Sequence, residues 1–399
     1  MTRSLLAAAL WLALPAAASA QESVFNLPAF SVPEEGATIR MRALGGAGTG
    51  VAGDVFSLAN PAPIARFRRA GLYLSLLAQD TAVDGENASG DFSDVMFPLA
   101  QVVVPGWGRT AFALGYYQFV DFDTHLEAMV EFEGDSLPVS LESAGGISVL
   151  APAVAYSIDA ATQVGVSFDF YLGSREIVRA VDLEDLSPGS IPASDSLTRD
   201  FSGAGLTVGV ERAIGPRVRL SAAYRFRPTV ESEIIQAQDE DLEGFGSDFD
   251  LPDELMLGAA WQATRGVVAT AGVRRSSWSA FEPEGLENVA YGEALEIGAG
   301  VEYAPAETRA LVLGPQAPVR FGYRWRRLPL EIEGEPVTEW TASLGYGRSM
   351  GPAARSGVDV VIEYGRRGSL DDHGLEESYL RLGVGVRAFE QWRRDRPDN

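Results

Sequence analysis

The chain has 399 residues, no cysteine, and 55 acidic against 32 basic residues, for a formal net charge of −23. That acidic balance excludes a nucleic-acid binder, and the lack of cysteine excludes disulfides, thiolate metal sites and cysteine nucleophiles. A hydrophobic share of 46% with 43 glycines fits a strand-rich globular protein or a membrane barrel, whose strands alternate between lipid and lumen.

Residues 1–20 read as a secretory signal peptide. Arg3 gives the positive start, Leu5 to Leu14 the apolar run, and Ala18-Ser19-Ala20 a small-residue cleavage site between Ala20 and Gln21. No later apolar run is long enough for a spanning helix. Residues 21–69 form a Gly/Ala-rich segment containing "GTGVAG", with Gly48, Gly50 and Gly53 in the spacing of a dinucleotide loop. Such a loop needs a strand before it, a helix opening on it, and an acidic residue about twenty residues on. Here it follows soon after the cleavage site and precedes Asn60-Pro61, so no nucleotide and no cofactor is expected.

From near Gly71 the pattern changes to period two. In Val218 to Arg227, Val218, Leu220, Ala222, Tyr224 and Phe226 alternate with Arg219, Ser221, Ala223, Arg225 and Arg227. Val319 to Arg326 repeats the pattern, as do Val164 to Gly173, Leu295 to Tyr303 and the closing run from Tyr379. Strict alternation means strands with one apolar and one polar face. Short connections at 105–109, 159–162, 213–217 and 263–266 contrast with long acidic stretches at 174–200 and 230–253. Trp261, Tyr303, Trp325, Trp340 and Tyr364 stand near strand ends, where interfacial girdles sit. The expected fold is all-β: a transmembrane antiparallel β-barrel of about 14 strands over 70–392, an N-terminal hatch (21–69) inside the lumen, and a polar tail at 393–399. A soluble periplasmic β protein is the alternative. It is disfavoured by the many large residues on the apolar face.

The stretch "RALGGAGTGVAGDVFSLANPA", Arg42 to Ala62, resembles the hatch motif of the FadL-type outer-membrane transporters of long-chain fatty acids. Gly45, Gly46, Ala47, Thr49, Ala52, Asp54, Asn60, Pro61 and Ala62 match that motif in order. "LPDELMLGAAW", "PVRFGYRW" and "ESYLRLGVGVRAFEQW" resemble its later strands. Gly50 and Gly53 depart from the motif, and the chain runs past Phe389 and Trp392 where many outer-membrane barrels end on an aromatic. The resemblance implies a 14-stranded barrel gated by its hatch (Gly45, Gly46, Ala47, Thr49, Asp54, Asn60, Pro61, Ala62). It also implies uptake of long-chain fatty acids or other hydrophobic molecules, with lateral release through a kinked strand. A barrel of the same superfamily with a structural or secretion-shuttle role is the other reading. A continuous apolar cavity would favour transport; a lumen packed with polar side chains would favour the second role.

The lumen-facing Arg219, Arg225, Arg274, Arg320, Arg324 and Arg381 are head-group candidates, because guanidinium binds carboxylates bidentately. Against this stands structural pairing with Glu211, Glu296, Glu302, Asp359 and Glu363. The stretch 230–253 lacks the spacing of a calcium loop and reads as a surface loop, bridged to lipopolysaccharide by divalent cations. His125 and His373 lie in no metal or triad spacing, so no metal and no catalysis is expected. The expected partners are hydrophobic small molecules, outer-membrane lipid and lipopolysaccharide, and the barrel-assembly machinery, with the chain a monomer.

Overall fold

A computed structural model of the chain describes residues 23–26, 33–34, 36–51, 55–85, 89–132, 135–181, 193–237, 248–279, 281, 289–304, 317–350 and 356–390. The proposed cleavage site Ala20–Gln21, Asp54, Trp392 and the tail lie outside these residues.

Fourteen strands close into one antiparallel barrel. They are β1 (Ala70–Gly85), β2 (Ser89–Pro105), β3 (Thr110–Asp121), β5 (Asp135–Ser157), β6 (Thr162–Val181), β7 (Ala193–Ile214), β8 (Val218–Ala237), β10 (Glu254–Thr264), β11 (Val267–Ser277), β13 (Glu293–Tyr303), β14 (Val319–Ile332), β15 (Glu335–Met350), β16 (Ser356–Ser369) and β17 (Leu375–Glu390). Three shorter strands pair at the loop end: β4 (Thr124–Phe132) with β5, β9 (Phe249–Asp250) with β8, and β12 (Val289–Tyr291) with β14. Closure is made by β1 and β17, paired from Ala70↔Glu390 to Gly85↔Leu375.

The alternation read from the sequence is the alternation of the wall. Leu72, Leu74 and Leu76 of β1 point outward beside Leu380, Leu382, Val384 and Val386 of β17. Leu220, Phe321 and Tyr323 are outward too, whereas Ser221, Arg225, Arg320 and Arg324 are buried inside. Trp261 and Tyr303 are exposed near the turn end, while Trp325 pairs with Trp340 nearer the loop end, where Tyr364 packs on Trp340 with centroids 5.7 Å apart. An apolar band bounded by aromatics on both sides is the outer surface of a membrane barrel.

Two expectations need correction. Much of 174–200 is strand: β6 and β7 stay paired out to Val181↔Ala193. In 230–253, β8 continues to Ala237, and residues 238–247 lie outside the described set. Glu176, Arg179, Glu231 and Glu233 are exposed here, so the polar composition that suggests a loop is compatible with strand. Phe389 also differs from a lipid-facing terminal aromatic: it turns inward and packs on Phe56 and Phe67, centroids 5.7 and 5.9 Å away.

Candidate functional site

The described residues between Ser23 and Phe67 lie inside the barrel. They form a short helix α1 (Ile39–Arg42) and 3₁₀ turns at Val24–Asn26, Gly48–Gly50 and Ala62–Arg66. Thr38 caps α1, its hydroxyl accepting from the Met41 amide at 3.3 Å. Gly45 and Gly46 follow in left-handed conformations, φ 65° and 76°, which glycine adopts without steric cost. Ala47 is buried; Thr49 lies in the Gly48–Gly50 turn.

The wall is cut to receive this plug. A β-carbon at Gly300 would sit 2.7 Å from the Leu44 α-carbon, and one at Gly298 or Gly322 would overlap the backbone of Gly45. Gly165 and Gly209 leave space for Asn60-Pro61 in the same way. The Asn60 side chain has two roles there. Its Oδ1 accepts from the Ala62 amide at 2.9 Å, an Asx turn, and its Nδ2 donates to the carbonyls of Val210 on β7 and Ala222 on β8, both at 3.3 Å. Asn60-Pro61-Ala62 is therefore both a local turn and the anchor of the plug on the wall.

Ion pairs join the plug to the wall. Arg40 binds Glu302 through two contacts, 2.7 and 2.9 Å, and Arg320 bridges Glu302 (2.6 Å) and Asp359 (2.8 Å). Arg42 joins Glu34 (2.7 Å) to Glu363 (3.1 Å). Burial works against the Glu34 charge, but Arg42, with Arg381, Arg326 and Arg324, holds its carboxyl well below the usual range. Glu339 receives Arg326 (2.8 Å), Arg367 (2.8 Å) and Arg324 (3.5 Å). Glu377 accepts from Arg367 (3.3 Å), Ser23 Oγ (2.9 Å) and the Val24 amide (2.6 Å).

The six head-group candidates thus have protein partners. Arg219 pairs with Glu211 (2.7 Å), which also holds Arg66. Arg225 meets Glu254 (3.2 Å) and Asp169 (3.6 Å), and Arg274 meets Glu254 (3.7 Å). Arg381 donates to Gln79 and stacks over Tyr379, 4.2 Å from its centroid. Only Arg225 and Arg274 of the six line the pocket above the plug.

That pocket has a volume of about 70 Å³ and is walled by Phe119, Tyr171, Leu251, Trp278 and Leu328, with Arg225, Arg274, Glu254 and Glu34 among its polar residues. Edge-on aromatic contacts knit the surround: Phe119 with Tyr171 at 5.3 Å and Trp278 with Phe281 at 5.7 Å. The Tyr171 hydroxyl is buried with no hydrogen-bond partner among the described residues.

Beside the pocket the ladder between β2 and β3 is short. β2 pairs with β3 only over Ala100–Pro105, so its Ser89–Leu99 half has no partner on that side among the described residues. A bulge between Gln118 and Val120 turns β3 into the lumen, and Phe119, Val120, Asp121 and Phe122 are buried in succession. The plug holds this turn: the Glu34 amide donates to the Phe119 carbonyl at 2.7 Å. Pro98 sits at the irregular part of the β1–β2 ladder, where it has no N–H to donate. The alternation pattern does not reach the Phe119 turn, because the bulge reverses face parity. Nor did it reach the wall glycines, whose one signal is their recurrence on the polar face.

The histidines have local roles. His373 Nδ1 accepts from the Ser369 amide at 3.1 Å around α2 (Leu370–His373), and exposed His125 lies 3.2 Å from Glu142.

A family model described as BamG matches residues 1–397. No curated protein matches the chain. Among solved structures, the chain is similar to a Pseudomonas aeruginosa FadL homologue (15% identity, 90% of this chain and 99% of that one, TM-score 0.62). It is also similar to the Ralstonia pickettii toluene transporter TbuX (17%, 90% and 99%, 0.59) and the P. putida toluene transporter TodX (15%, 88% and 98%, 0.60). Identities this low carry the fold alone.

Proposed function

Because the chain belongs to the BamG family and closes as a FadL-like barrel, we propose that it resides in the outer membrane as a hatch-gated channel for small hydrophobic molecules. Its short turns face the periplasm and its long loops the outside. Cargo enters the aromatic pocket from the loop end and leaves sideways between β2 and β3. The observation that carries this reading is the slot beside Phe119, next to a greasy pocket and above an ion-paired plug. An apolar molecule gains nothing by crossing that charged layer, whereas the slot leads to lipid.

A cavity of about 70 Å³ is well below the roughly 300–1,000 Å³ of small-molecule pockets. On this reading the channel is closed, and a fatty acid or hydrocarbon enters when the Glu34–Phe119 contact opens. The buried Tyr171 hydroxyl favours cargo with a polar atom as well as an apolar body. Gly45, Gly46, Ala47, Asn60, Pro61 and Ala62 seat the gate, with Thr49 and Asp54 assigned to it by the hatch motif. Arg225 and Arg274 are the retained head-group candidates.

A second reading is favoured by a different observation. Directly below the pocket the lumen is crossed by plug and ion pairs, and the family name points to the barrel-assembly machinery. In that reading the barrel is a structural partner and moves no small molecule. Equilibrium binding of toluene and palmitate to the purified barrel separates the two. Saturable binding, weakened in Phe119→Ala and Trp278→Ala, supports the channel. No saturable binding of either probe, with stable co-purification of assembly-machinery components, supports the second.

A further inference from the structure

Beneath the plug, at the turn end, two cavities of about 280 and 270 Å³ lie on either side of the Arg40–Glu302 ion pair, which lines both. Their linings contain Arg40, Arg217, Arg219, Arg265, Arg320 and Arg387. Among the described residues, three carboxylates pair with four of these cations, and each is already shared. Glu302 lies between Arg40 and Arg320, Asp359 between Arg320 and Arg387, and Glu211 between Arg219 and Arg66 of the plug. Arg217, between β7 and β8, and Arg265, between β10 and β11, are exposed and make no ion pair among the described residues. The Arg217 carbonyl accepts from the Gln262 amide at 2.7 Å, which holds the two turns side by side. A chain of net charge −23 therefore presents a cation-rich chamber at one end.

We propose that this chamber binds an extended, carboxylate-rich peptide segment of a periplasmic protein. Guanidinium matches carboxylate in shape and donor geometry. The cations run from the exposed Arg217 and Arg265 at the mouth to the buried Arg320, across two lobes. A chain bearing several carboxylates engages such a series, whereas one small anion neutralises a single lobe. A carboxylate that reaches the partition competes with Glu302 for Arg40, the plug's own arginine, so binding below loosens the plug above. The inference rests on the turn end facing the periplasm and not on transport.

The test uses the full-length barrel in detergent micelles with a fluorescein-labelled hexaglutamate peptide, read by anisotropy. The expected result is saturable binding that weakens with salt. Binding should fall at least tenfold in Arg217→Gln/Arg265→Gln, while Arg68→Gln, an exposed arginine outside the cavities, binds as the wild type. Retained heat-modifiable gel migration shows that each variant is folded. Absence of peptide binding overturns the proposal, as does equal binding by wild type and the double variant, or equal loss in Arg68→Gln. Binding of inorganic phosphate without peptide binding also overturns it, since that describes a small-anion site.

Discussion

The carbonyl oxygen of Gly45 in the plug rests against the α-carbon of Gly298 in β13, so closely that a methyl group at Gly298 would overlap it. Backbone meets backbone, with no side chain between. Gly45 has a left-handed φ of 65°, and a β-carbon there would in turn strike the wall at the Ala299 carbonyl, 2.8 Å away.

Gly298→Ala is therefore expected to unseat the plug while the barrel still forms. The Gly298 ladder partners Gly272 and Arg324 keep their backbone bonds, and the added methyl costs about 1–3 kcal/mol of overpacking. Single-channel conductance in planar bilayers checks this: a rise over the sealed wild type is expected, and an unchanged trace would remove the glycine seat from the argument.

Asn60→Ala removes one Asx-turn bond and two bonds to the β7 and β8 carbonyls. At roughly 0.5–1.5 kcal/mol for each hydrogen bond, loss of the two wall bonds should weaken plug docking by about 1–3 kcal/mol. A cysteine placed at half-buried Val24 should then react faster with a soluble maleimide. Asn60→Asp keeps the Asx turn but lacks the amide donors, so it should behave like the alanine variant.

Glu339→Gln leaves Arg326 and Arg367 buried without their shared carboxylate. Breaking a buried pair by removing one partner costs about 3–5 kcal/mol. Urea unfolding in detergent, followed by gel mobility, should show that loss. A change within error would mean that other groups neutralise these arginines.

The docking of Glu34 has a defined pH dependence. Burial raises its pKa, but the arginines overcome this and the folded value lies below the ordinary 4.5. A depressed carboxylate contributes stability that is present above the unfolded pKa and lost as pH falls through the folded one. A cysteine placed at half-buried Pro33, beside Glu34, should thus stay equally protected from neutral pH down to about 4.5, and become reactive only well below it. Release between pH 7 and 5 would show that another group controls the latch.

Much of the barrel was legible because water and lipid impose a two-residue period on any strand between them. Val218 to Arg227 and Val319 to Arg326 each announced which residues face in. The expectation of a plug rested on the GGA and NPA positions. The glycines in dinucleotide-loop spacing were less informative: among the described residues of this segment, positive φ falls at Gly36, Gly45 and Gly46, not at Gly48 or Gly50. What a buried charge would do was not legible. Arg320 read equally well as a ligand site or a structural pair until Glu302 and Asp359 were seen at 2.6 and 2.8 Å.

By itself the sequence determined a barrel of about fourteen strands and the face of most strand residues. These follow from local alternation and from the length of strand needed to cross a bilayer. Only the tertiary structure decided which carboxylate each arginine meets and where the β2–β3 ladder stops. Those outcomes depend on register around the barrel and on one bulge in β3. A shift of a single residue there exchanges inside for outside, and no local pattern carries that information.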